Sequence, residues 1–182
     1  MIVILLLKYF FAALLGGVGN RVRGGLDGKA LSVGTQGGRL LGWAMPCGLI
    51  AFAGHMSPLH SGEIALAAFI GCTAPLFGSL SMGHGINPLW QDWLGMTAFS
   101  LLRVAPVGAV LWWFGYAWYW LIPVPVLGAA LYWSSWKQPL SIWFLQIEPY
   151  GGAGGHPFQG PTWGEFTWGV LAGVCTLAAC LH

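Results

Sequence analysis

Four of the chain's seven lysines and arginines, Arg21, Arg23, Lys29 and Arg39, fall with seven glycines in one stretch, "GNRVRGGLDGKALSVGTQGGR". Backbone N–H groups in Gly-rich turns bind anions, and a nearby guanidinium adds bidentate pairing to phosphate or carboxylate. Asn20, Arg21, Arg23, Gln36 and Arg39 therefore form a candidate anion-binding set. A Walker A loop is excluded, because Ala30 stands where Ser or Thr must follow Lys29. The competing reading is electrostatic anchoring to anionic lipid, at about 1 kcal/mol per basic residue near the surface. Anchoring alone does not call for so much glycine, which loses more entropy on ordering than any other residue.

Arg103 is the second chemical feature. It stands in a long apolar run nine residues after Leu94, about 13 Å along a helix and near the middle of a bilayer core. A guanidinium there costs about 2.5 to 3.5 kcal/mol on insertion scales, so it must face inward and find an acceptor. Glu63, Glu148 and Glu165 are the candidate acceptors, with Asp92 as a further polar partner. Pro106 is expected to break this helix three residues later. Lys8, also in an apolar run, lies near enough to its helix start to extend toward the surface.

His84, in "GSLSMGHGINPLWQDW", and His156, in a Gly-rich segment, can act as acid or base near neutral pH. Together with Arg103 they are the catalytic candidates, whether or not the protein is an enzyme. "SMGH" resembles part of the PSGH element of phosphatidate-type membrane phosphatases, but the Lys and Arg-Pro element and the distant Arg, His and Asp set of that family are absent. The rhomboid GxSG motif is also missing. His55 and His60 fall on the opposite side from His84 and His156, so no metal site and no haem or other cofactor is expected.

These residues must be positioned by helices in lipid. Charged residues make up 7% of the 182 residues and hydrophobic ones 57%, against about 25% charged in a soluble domain. The expectation is a single all-α transmembrane domain, residues 1–182, integral to the plasma (inner) membrane. Six spans are predicted, Ile2 to Val18, Leu40 to Ala53, Glu63 to Leu80, Leu94 to Gly115, Ala117 to Trp133 and Glu165 to Leu181, with five as the alternative because the second is short. The first lacks the basic n-region and cleavage site of a signal peptide. Basic residues between the first two spans place that loop in the cytoplasm and the N-terminus outside.

Gly169 and Gly173 form a GxxxG face, which packs helices within the bundle or, alternatively, joins a homo- or hetero-oligomer. The small net charge of +2 excludes nucleic acid as a partner and leaves membrane lipid. Three functions remain open: binding or processing of an anionic, phosphate-bearing lipid or lipid-linked molecule; transport of a small solute or ion past Arg103; and a non-catalytic scaffold or accessory role.

Overall fold

The computed structural model describes residues 1–27, 38–82, 93–128, 130 and 162–182, and among them every regular element is helical. Helix α1 spans Ile2–Asp27. A π-helical turn, Leu40–Ala44, leads into α2, Met45–Ala53, and α3 spans Pro58–Met82. Helix α4 spans Trp93–Trp113. A 3-10 turn at Trp118–Leu121 and a second π-helical turn at Val124–Gly128 precede α5, Thr162–Leu181.

Among the described residues the fold is all-α, and α1 accounts for much of its arrangement. Ala12, Gly16, Gly19, Asn20 and Arg23 are buried on one face, whereas Phe10, Phe11, Leu14, Val18 and Val22 are exposed on the other. Small and polar side chains point inward and large apolar ones outward, the reverse of a helix on a water-soluble core. The segment Ile2–Arg23, with a mean hydropathy of 2.2 and only 22% buried, is the one helix among the described residues long and apolar enough to cross a membrane. Leu40–Ala53, Ser100–Trp113, Trp118–Gly128 and Phe166–Leu181 are shorter apolar stretches.

Helix α5 packs along α1 through the GxxxG face. A Cβ on Gly16 would overlap the carbonyl oxygen of Gly169, and a Cβ on Gly173 would overlap that of Ala12. Such backbone approach is what small residues allow, and it brings weak Cα–H···O contacts. The motif is used inside the chain, against α1. Gly71 plays the same part between α3 and α4, where any side chain would strike the carbonyl of Arg103.

The elements alternate in direction. At one end Lys8 Nζ donates to the Ala53 carbonyl at 2.9 Å, Gly54 lies against Cys180, and the His60 and Phe114 rings stand 3.9 Å apart. At the same end Trp120 stacks on His182. Lys8 thus caps a helix terminus whose last carbonyls lack intrahelical donors, rather than merely reaching outward. The other end holds Asn20, Arg23, Gly42 and Arg103.

Several expected boundaries shift. Helix α1 does not stop at Val18 but runs on to Asp27, because the residues after Val18 include no helix-breaking proline and Asn20 and Arg23 are packed on its buried face. Helix α4 passes unbroken through Pro106. The expected span Ala117 to Trp133 is instead irregular, since Pro123 and Pro125 withhold N–H donors at alternate positions; its last residues lie outside the described ones. Pro46 has a related effect, as its ring and missing N–H disfavour the α bond to Gly42. Upstream, Met45 N–H reaches back five residues to Leu40.

Gly16→Ala and Gly71→Ala should each destabilise the fold by about 1 to 3 kcal/mol through overpacking. Gly62→Ala is the matched control, because nothing lies within 4 Å of its added Cβ. Thermal unfolding in mild detergent checks this, with the midpoint expected to fall for the first two and to hold or rise for the third.

Candidate functional site

The site begins on α1. Asn20 and Arg23 sit three residues apart, hence on one face, and Arg23 Nε donates to Asn20 Oδ1 at 2.9 Å. From α4, Arg103 Nη2 donates to the same oxygen at 2.5 Å. An amide oxygen has two lone pairs, so one neutral atom accepts from two cations. All three residues are at most 2% exposed.

The face of Arg103 is held as well. Its Cζ lies 4.0 Å from the centroid of a Trp168 ring, a cation–π contact in a desolvated setting. Trp168 is fixed in turn by its Nε1, which donates to Ser100 Oγ at 3.1 Å, and by Trp43, whose ring meets it edge-on at 5.6 Å and 68°. Ser100 and Arg103 are one turn apart on α4, so the serine orients the indole on which its neighbour rests.

Arg39 is a further buried arginine. It precedes the π-helical turn and is 1% exposed. Three residues on, Gly42 packs on the backbone and Cβ of Arg23, at 3.0 to 3.1 Å from where its own Cβ would be. Widening the helix over Leu40–Ala44 turns Gly42, Trp43 and Ala44 inward together, all three buried. Arg23 and Arg103 thus meet at one amide, and Arg39 is buried three residues before the glycine that packs on Arg23.

Some sequence expectations need correction here. Residues 19–27 are helical, so the N–H groups of "RVRGG" serve intrahelical bonds and form no anion-binding nest. Any anion held by Arg23 is held by its side chain. Arg21 lies two residues from Arg23, near the opposite side of α1, and is half-buried outside the core of the cluster. Arg103 meets Asn20 and Trp168, not Glu63, which lines a separate groove beside Trp113 and Phe114. With α4 continuous at Pro106, the broken helix expected to open a path beside Arg103 is not found.

Gln36, His84, Asp92, Glu148 and His156 lie outside the described residues. Glu165 lies in α5, but its side chain is outside them. The sequence reading did not pick out Ser100, Trp43 or Trp168. Ser100 carried a usable signal, its three-residue spacing from an intramembrane arginine. Trp168 is one of twelve tryptophans, and nothing in its local sequence separates it from those expected at a lipid interface.

No protein-family model matches the chain, and no similar chain was found among curated proteins or solved structures.

Two substitutions at Asn20 test the geometry. Asn20→Leu removes the acceptor shared by two buried guanidiniums and should destabilise by about 3 kcal/mol or more. Asn20→Asp places a negative charge between them and should raise the unfolding midpoint above that of the parent. A lower midpoint for Asn20→Asp than for Asn20→Leu would show that the two arginines do not converge there.

Proposed function

We propose that this chain is a polytopic helical membrane protein, N-terminus outside, whose arginine cluster opens toward the cytoplasmic side and binds an anionic, phosphate-bearing lipid or lipid-linked molecule. The observation that carries the reading is the sharing of Asn20 Oδ1 by Arg23 and Arg103. Two unit charges about 5 Å apart repel by about 3 kcal/mol at an effective dielectric of about 20, so converging guanidiniums set up a demand for negative charge beside them. Arg39, a third buried arginine, stands three residues before the glycine that packs on Arg23.

A phosphate group meets that demand with several acceptor oxygens that match the planar fork of arginine. Trp168 keeps Arg103 turned to the cluster, and the tight α1–α5 contact excludes water from its back. The membrane part of the reading draws support from the outward apolar face of α1 and from exposed Trp112, Trp113, Trp118 and Trp120, grouped at the opposite end. Soluble proteins rarely expose so continuous an apolar surface. The reading is confined to binding, since His84 and His156, the candidate acid or base, fall outside the described residues.

The test uses purified protein in a neutral detergent, titrated with phosphatidylglycerol or phosphatidylcholine and followed by native mass spectrometry and thermal shift. Phosphatidylglycerol should bind more tightly, and Arg23→Ala with Arg39→Ala should weaken it at least tenfold. Equal binding of both lipids, or unchanged affinity in the double variant, rejects the proposal.

A further inference from the structure

A second polar group, half-buried and of opposite charge, lies nearer the other end of the bundle. Glu63 stands six positions into α3, and its Oε2 is buried without a hydrogen-bond partner. It lines a groove of about 390 Å³ between α3 and the end of α4, together with Leu66, Ile70, Ala109, Trp113 and Phe114. Every one of these neighbours is apolar or aromatic. A carboxylate among such groups is disfavoured unless a cation or hydrogen-bond donor meets it.

The shape of the groove says what kind of cation fits. Glu63 and Ile70 are two turns apart, so the groove extends about 10 Å along α3 from a charged end to an apolar one. At the charged end are Trp113, which is 77% exposed, and Phe114, which is backed by the His60 ring at 3.9 Å. Aromatic faces beside a carboxylate are the chemistry that recognises ammonium and quaternary ammonium groups. At the other end Leu66, Ile70 and Ala109 offer only dispersion contacts and apolar area. Inorganic cations do not fit this lining, because the described groove supplies one acidic group and no ring of oxygens.

We propose that this groove binds an amphiphilic cation, an alkylammonium whose head sits between Glu63 and the rings of Trp113 and Phe114 and whose chain lies along Leu66 and Ile70. The site is separate from the arginine cluster and does not depend on the anion-binding reading. Charge sets its selectivity, and the apolar floor sets the preference for a chain over a bare ammonium ion.

The probe is dodecyltrimethylammonium, titrated into the purified protein in dodecyl maltoside and counted as adducts by native mass spectrometry. The competing detergent has the same tail and no charge, so binding above that background reports the head group. The parent should take up one equivalent. Glu63→Gln, which keeps the side chain's shape, should lose at least tenfold in affinity, and Trp113→Leu about fivefold. Arg23→Ala with Arg39→Ala should bind the probe like the parent, which separates this site from the cluster. Parent-like binding by Glu63→Gln, or tetramethylammonium binding as well as the dodecyl probe, overturns the proposal. Should Glu63→Gln not fold, Trp113→Leu on the exposed rim decides alone, and undiminished binding there overturns it.

Discussion

A guanidinium withdrawn from water must be met by an oxygen or an aromatic face, and here a single amide oxygen on α1 meets two of them. Asn20 must lie within reach of α4, so α1 has to approach the centre of the bundle at that level. Trp168 must lie over Arg103, so α5 has to present its aromatic ring there too. The positions of three helices are coupled through one side chain of modest size. The same atom that accepts from both guanidiniums thus ties α1 and α4 together.

The close approach that Asn20 requires is supplied by residues with no chemistry of their own. Gly16, Gly169 and Gly173 let α1 and α5 touch backbone to backbone, and Gly169 also makes room beside the Cβ of Asn20. Gly71 brings α3 against the carbonyl of Arg103. Large side chains in these positions would separate the helices and leave the arginines with gaps instead of partners. Packing and electrostatics are therefore not separate achievements of this fold, since the small-residue seams set the distances over which the charges act.

The arginines themselves were legible from sequence, because a charge inside an apolar run has few places to go. Arg103 was expected to face inward and does. Its partner was not legible, since carboxylates are the obvious acceptors for a guanidinium and the amide of Asn20 was grouped with a loop. That grouping failed for a reason beyond composition: glycine counts suggested a turn, yet the helix continues through Asp27 with no proline to break it and with Asn20 and Arg23 packed on its buried face. The internal use of Gly169 and Gly173 was one of two readings, and deciding between them needed the facing surface of α1. Pro106 misled in the other direction, because surrounding contacts hold a helix through a proline that would kink it in isolation.

Helix α1 is tied near both ends by basic side chains. Lys8 is bound to the last carbonyl of α2, and Arg23 is bound into the cluster, fifteen residues further on and about 22 Å along the axis. These two ties stop the helix from sliding along its own length, so it acts as a ruler. A shift of Lys8 against Ala53 would be carried along the helix to Asn20 and Arg23, so a single rigid element holds the α2 terminus and the arginine pair in register.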